Sequence, residues 1–364
     1  MGGRGRARGG SRAHRQRPPG DRDREGRAST VRTLFSILLC IVSAGLPTAH
    51  AADKPLELNY SIFFPATHGH TLLATEWARE VEKRTHGAVK INIFAGATLT
   101  PADQTYDGVV KGISDLGMSV LSYSKGRFPL TEVLDLPVGY TSGLQATRLA
   151  NAYYAKFQPK ELSDVKIMFL MAHGPGILHT KKPVEKLEDL AGLKIRGTGT
   201  SAKVVAALGA TPVAMPQNEA YDALQKGVVE GLVSPVETLK GWKYAEVVKY
   251  TTRNLGSSYS VGFFVAMNRG KWDSLPKAAQ EAIEAVNREW IDRAGKAWDD
   301  FDKVGAEFAL SKGVKTIELS QAEDARWAER VKPVLNDYVT AAKAKGLPGE
   351  EALKFVLDWL KANP

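Results

Sequence analysis

The amino-acid sequence predicts an α/β protein of two lobes, on three observations. Strand-like and helix-like periods alternate from residue 55 onward. A second set of the same kind begins near Gly174. An apolar-faced helical stretch then runs from Pro276 to about Leu310. That length is unusual in one compact domain and natural for a helix bracing two lobes. A chain of 364 residues also suits two domains.

The chain opens on a leader that cannot pack a core. Residues 1–51 hold ten Arg, no Lys and only Asp21, Asp23 and Glu25 as acids, a net charge of +7. The remainder carries 39 basic and 37 acidic residues, so the overall +9 says little about the folded part and nucleic-acid binding loses its main support. An apolar run, Leu34 to Leu46, is broken by Pro47 and followed by the small-x-small sequence Ala49-His50-Ala51. This pattern predicts a cleaved secretory signal and a mature chain starting near Ala52. Thirteen residues are too few for a stable membrane anchor. The basic leader is long for a signal, so a start near Val31 is an alternative to Met1. The single cysteine, Cys40, would leave with the signal, and Leu39 before it does not suit lipid attachment.

Pro55–Phe64 alternates as a first strand, and Thr71–Arg84 is helical through Leu72, Trp77, Ala78 and Val81. Val89–Phe94 is a second strand, completing a βαβ opening. Thr100-Pro101 opens the next helix, followed by a short strand over 115–120. Val165–Ala172 reads as a buried strand. In the second set, Val184, Leu187 and Leu190 form a helical turn that Gly192 breaks, Leu193–Ile195 a brief strand, and a helix starts near Ser201. Thr211–Met215, the helix Glu219–Gly227, and a strand and turn from Val228 to Pro235 follow. Ser260–Met267 is an apolar strand long enough to cross back to the first lobe. In the long helix Ile283, Val286, Trp290, Ala294, Trp298 and Phe301 keep one face apolar, and Gln321–Ala344 and Glu350–Ala362 are further helices.

Arg196 ends the brief strand, at the sheet edge where open α/β folds bind ligands. A guanidinium there offers a two-toothed partner for a carboxylate; the competing reading is a surface ion pair.

Three blocks in order, Glu188-Asp-Leu-Ala-Gly-Leu-Lys-Ile-Arg196, Leu208-Gly-Ala-Thr-Pro-Val213 and Glu219-Ala-Tyr-Asp-Ala-Leu-Gln-Lys-Gly-Val-Val-Glu-Gly231, carry a resemblance. Residues 55–345 resemble the extracytoplasmic substrate-binding proteins of TRAP transporters, the dicarboxylate-binding-protein-like group. The resemblance implies a two-lobed periplasmic binding protein of type II-like architecture, with crossing strands and a long interlobe helix. It implies residues 52–173 plus 262–300 as the first lobe and 174–261 plus 301–364 as the second. It implies that Arg196 clamps a ligand carboxylate, and that the partners are a small organic acid and the TRAP membrane permease subunits. Many members carry a second arginine where this chain has Gly174-Pro175-Gly176, and an asparagine where it has Ser234. One cation with apolar neighbours argues for a monocarboxylate, aromatic or branched. The expected ligand residues are Arg196, Phe64, His68, Tyr123, His173, Ser234, Trp242 and Tyr259, with Glu237 as a possible partner ordering Arg196.

Other patterns compete. Gly197-Thr-Gly-Thr-Ser-Ala202 has the form of a dinucleotide fingerprint, with Glu219 about twenty residues on. It is short, lies mid-chain and would sit outside the cytoplasm. His68-Gly-His70 lacks the further donors of a metal site. His173 and His179 are ligand donors or satisfied structural histidines. Arg127 is expected to brace its loop, and Tyr221 to pack. No hydrolase, kinase or zinc-protease motif appears. The expectation is a binding protein with no cofactor, no metal and no nucleic-acid partner. An exported enzyme acting on a small carboxylate, or a dinucleotide-binding protein, is the alternative.

Overall fold

The computed structural model describes residues 54–364; the leader, the signal-like run and Cys40 lie outside the described residues. The chain opens with β1 (Leu56–Ile62), α1 (Gly69–Arg84), β2 (Val89–Phe94), α2 (Thr105–Val110) and β3 (Leu116–Val120). Helix α1 starts at His68, whose Nδ1 accepts the His70 backbone N–H at 3.2 Å, and it buries Ala74, Trp77, Ala78 and Val81 at helical spacing. Helix α2 begins later than expected: Gln104 N–H donates to Pro101 O at 3.0 Å and closes a separate turn first. Helix α3 (Gly143–Phe157) goes beyond the sequence expectations, although Ala146, Leu149, Ala150 and Tyr153 recur at helical spacing and are buried. Strand β4 (Val165–Ala172) is almost wholly buried, as a strand covered on both faces should be.

The second set holds β5 (Ile177–Thr180), β6 (Lys194–Gly197), α4 (Thr200–Ala207), β7 (Thr211–Ala214), α5 (Gln217–Gln225), β8 (Gly231–Ser234), α6 (Thr238–Gly241) and β9 (Tyr250–Arg253). Then come β10 (Gly262–Asn268), α7 (Arg269–Ser274), α8 (Lys277–Ser311), β11 (Lys315–Glu318), α9 (Gln321–Ala344) and α10 (Gly349–Ala362).

Two mixed sheets result, of order β2-β1-β3-β10-β4 and β11-β9-β5-β8-β6-β7. In the first, β1 runs parallel to β2 and β3, while β10 returns antiparallel between β3 and β4. In the second, β6 is parallel to β7 and β8, and β5 is antiparallel to β8 and β9. The segments that pass between the sheets lie side by side: Gly176 N donates to Tyr259 O at 2.8 Å and the Ser260 hydroxyl donates to His173 O at 2.7 Å. Helix α8, roughly 50 Å long at 1.5 Å per residue, packs on α1, α3 and β4 and also on α6. It buries Ile283, Val286, Trp290, Ala294 and Trp298.

Residues 301–364 pack on elements of both sheets. Strand β11 pairs with β9, but α10 packs on α3. Ala352 and Val356 are the apolar face of α10, and Leu149 and Tyr153 belong to the same buried cluster.

The return into β10 is held by Asp135, whose Oδ1 accepts Gly262 N–H at 2.9 Å. Burial pushes this carboxyl up to about 7. The folded chain therefore binds a proton that the unfolded chain has lost, and stability falls as pH rises from about 4 to about 7, then levels. His173 and His179, pushed down by burial to about 4, act oppositely. Over roughly pH 4 to 6.5 the unfolded chain holds their protons and the folded chain does not, so stability rises with pH. Asp135→Asn is expected to remove Asp135's share of the falling slope and leave that of Asp302, whose carboxyl is also pushed up to about 7 by burial. The melting-temperature difference, variant minus wild type, should grow between about pH 4.5 and 7 and stay constant above. A difference independent of pH would overturn this assignment.

Candidate ligand-binding site

Strand β6 carries Arg196 between β7 and β8. The side chain is buried, 3 % exposed. Its Nε and Nη2 donate to Met215 O, just past β7, at 3.0 and 2.8 Å. That carbonyl is its only hydrogen-bond acceptor among the described residues. Both N–H groups on Nη1 are therefore left for another acceptor.

Arg196 lines a cavity between the two sheets, with about 400 Å³ of empty space when the solvent at its mouth is included. The first sheet contributes Phe63 and Phe64 just past β1, Tyr123 just past β3, and Phe263 from β10; α8 adds Trp298. The second contributes Arg196, Gln217, Ser234, Glu237, Thr238 and Trp242, and the crossing segments supply His173 and Tyr259. The rings form one connected wall. Phe63 lies on Trp242 at 5.9 Å between centroids and 20° between planes, and Phe263 contacts Trp298 at 5.1 Å. His173 sits 5.5 Å from the Tyr259 ring.

Several polar groups of this wall are already committed. The Tyr259 hydroxyl donates to Val233 O at 2.9 Å, so only its ring faces the problem of recognition. Tyr123 OH accepts Gln217 N–H at 2.9 Å. Burial raises the Tyr123 hydroxyl's pKa, with nearby Arg196 pulling it back. Burial holds His173 neutral, and its Nδ1 lies 2.5 Å from Gly174 O, a geometry that makes Nδ1 the protonated nitrogen and Nε2 an acceptor. Ser234 Oγ lies 2.8 Å from Thr238 Oγ1, which donates to Pro235 O. The cavity thus combines one cation, Arg196, and one carboxylate, Glu237, with an aromatic lining.

The family model for bacterial extracellular solute-binding protein, family 7 (DctP), matches residues 61–341. The chain belongs to that family. A TRAP periplasmic solute-binding protein from Desulfovibrio salexigens DSM2638, an open complex with the C-terminus of a symmetry mate in its ligand site, is 36 % identical. The match covers 84 % of this chain and 95 % of that one, with a TM-score of 0.74. One from Bordetella bronchiseptica with bound (R)- and (S)-mandelate is 32 % identical over 85 % of this chain and all of that chain, TM-score 0.79. One from Rhodoferax ferrireducens T118 with copurified benzoate is 26 % identical over 84 % and 98 %, TM-score 0.80. This TRAP solute-binding protein is a transporter component that binds its substrate and is not an enzyme. Among the described residues no helix is long and apolar enough to cross a membrane.

Of the residues singled out from this solute-binding protein's sequence, Arg196, Phe64, Tyr123, His173, Ser234, Trp242 and Tyr259 all line the cavity. His68 stands behind it. Its Nε2 lies 3.2 Å from Glu237 Oε2, both side chains buried, and its ring lies 4.4 Å from that of Phe64. Glu237 therefore does not order Arg196, as the sequence suggested; the N-terminus of α1 delivers a nearer partner. His70 packs 3.8 Å from the Trp298 ring and is held neutral by burial, with His68 and His173 adding to the effect. His179 is a structural histidine: Nδ1 meets the Thr251 hydroxyl at 2.9 Å and Nε2 meets Ser234 O at 3.1 Å. Arg127 pairs with Asp107 and Asp164 and covers the Tyr106 ring, bracing its loop. Tyr221 donates to Glu246 at the surface. The glycines of the fingerprint-like stretch serve packing: a Cβ on Gly199 would stand 2.5 Å from Ser122 Cβ, across from the first sheet.

Phe63, Phe263, Trp298 and Gln217 were not anticipated as cavity residues. Gly176 explains the missing second arginine. A Cβ there would stand 2.5 Å from the Tyr259 ring, so an aromatic face occupies the room that a side chain at 176 would need.

Proposed function

We propose that this protein is the periplasmic solute-binding subunit of a TRAP transporter and that its cargo is an aromatic monocarboxylate. Arg196 pairs with the carboxylate, and the ring of the ligand lies among Phe63, Phe64, Trp242 and Phe263. The observation that carries this reading is one buried guanidinium, without a carboxylate partner, opening into an aromatic cavity. The mandelate and benzoate held by the relatives from Bordetella bronchiseptica and Rhodoferax ferrireducens support the ligand class. The apolar run before Pro47 supports export through a cleaved signal, and the lobes are proposed to follow the two sheets.

Ligand acts by shifting an open–closed equilibrium. Contacts between the two sheets' sides support a closed form here: Tyr123 with Gln217, Lys203 Nζ with Glu132 Oε2 at 3.3 Å, and His68 with Glu237. Of the three relatives, the one described as open has the highest identity and the lowest TM-score. Closing over an unpaired arginine is unfavourable, so the carboxylate is what makes closure stable. The closed form then docks a membrane permease and releases its cargo there.

Thermal-shift and calorimetric titration with benzoate, mandelate and succinate test the ligand class. The aromatic acids should raise the melting temperature and quench or shift tryptophan fluorescence; succinate should do neither. Tight succinate binding with no response to monocarboxylates would refute the proposal.

A further inference from the structure

We propose that Gln217 is the second group that grips the ligand carboxylate, beside Arg196; this rests on the reading that the cavity takes an aromatic acid anion. Gln217 opens α5 and is 7 % exposed. Its main chain is held on both sides: its N–H donates to Tyr123 OH at 2.9 Å, and its carbonyl accepts from Tyr244 OH at 2.5 Å. Two residues earlier, Met215 O takes two N–H groups of Arg196. Residues 215–217 are thus a collar fixed to the guanidinium. The side chain that this collar presents lines the cavity, yet its buried Nε2 has no partner. Buried amide donors are almost always paired, and an acceptor arriving in the cavity completes this one.

The acceptor is a carboxylate oxygen, because the same collar sets Arg196 toward the same space. One oxygen takes the N–H groups of Nη1, and the other takes Gln217 Nε2. A neutral second donor suits a monoanion, because it adds a hydrogen bond beside Arg196 without a second positive charge. Tyr123 belongs to the first sheet's side of the cavity and Gln217 to the second's. The hydroxyl that anchors Gln217 therefore reaches it only when the two sides approach, which couples presentation of the donor to closure.

Calorimetry of the full mature chain with benzoate and with (R)-mandelate tests the assignment. Gln217→Leu should weaken binding about tenfold, the scale of one hydrogen bond to a charged group. Gln217→Glu keeps the shape but sets a carboxylate against the ligand's, and should weaken binding by about a hundredfold or more. The melting temperatures of the unliganded variants should stay near wild type, which separates ligand contact from a structural role. If Gln217→Leu is less stable, Gln217→Asn decides: weaker binding at unchanged melting temperature supports the proposal, and unchanged binding overturns it. Wild-type affinity in Gln217→Leu, alongside an Arg196→Ala variant that has lost binding, overturns the role of Gln217 and leaves the aromatic-acid reading standing. A wild-type protein that binds neither acid overturns both.

Discussion

Arg196→Ala is expected to raise the dissociation constant for benzoate or mandelate by about two orders of magnitude or more while the fold survives. The magnitude follows from burial. A charge pair removed from water and then deprived of one member loses roughly 3–5 kcal/mol, and each 1.4 kcal/mol or so is tenfold in affinity. The effect on stability follows from the same geometry. The guanidinium is 3 % exposed and its hydrogen-bond acceptor is the carbonyl of Met215, with no carboxylate to neutralise it. Closure over it without ligand is unfavourable, so the unliganded protein is mainly open with the guanidinium in water, and removing it should leave the melting temperature near wild type. Arg196→Lys separates charge from shape. A lysine keeps the charge but cannot hold Met215 O with two N–H groups while offering others to the ligand, so an intermediate affinity is expected. Titration calorimetry with parallel thermal unfolding measures both quantities. Affinity within threefold of wild type in Arg196→Ala would remove the physical basis of the proposed function.

How much of this was legible beforehand depended on the range of the interactions involved. Elements with a long period were readable: β4 and α9 fall on the expected residues Val165–Ala172 and Gln321–Ala344. Strands β5, β9 and β11 have four residues each, too few for a period to emerge, and they exist because neighbouring strands supply their hydrogen bonds. Arg196 was legible because a strand end, a glycine-containing turn and a helix start are local signals. Phe263 was not, because β10 is buried on both faces and reads as a uniform apolar run. Only the fold distinguishes Phe263, which lines the cavity, from Phe264, which packs against Tyr106. Gln217 was hidden for a related reason. A polar residue at a helix start reads as solvated, and the tyrosines that bury it lie 94 and 27 residues away in the chain. The pairing of Glu237 with His68 was missed likewise, since 169 residues separate partners that α1 and the approach to α6 bring together.

The long helix offers a test in which two principles predict opposite signs. Its two glycines, Gly295 and Gly305, are interior positions where propensity alone favours alanine by about 1 kcal/mol. Each instead marks a close backbone approach. A Cβ on Gly295 would stand 2.8 Å from Leu144 Cα of α3, and one on Gly305 would stand 2.5 Å from Val236 O and 2.8 Å from Glu237 Cα. So α8 touches the α3 side through one glycine and the main chain entering α6 through the other. Backbone atoms cannot rotate away as a side-chain tip can, so contact should win over propensity. Overpacking of a fitted interface costs roughly 1–3 kcal/mol, occasionally more, and here the clash is with a carbonyl oxygen. Gly305→Ala is therefore expected to lower the melting temperature by about 5 °C. Because Glu237 and Thr238 line the cavity and Glu237 N–H donates to Asp302 Oδ1 of α8 at 2.7 Å, the displaced wall should also weaken aromatic-acid binding about tenfold. Thermal unfolding and calorimetry of this one variant check both. A melting temperature that rises, as helix propensity by itself requires, would mean that α8 and residues 236–237 are not in contact, and the helix would lose its role as the brace between the two sheets.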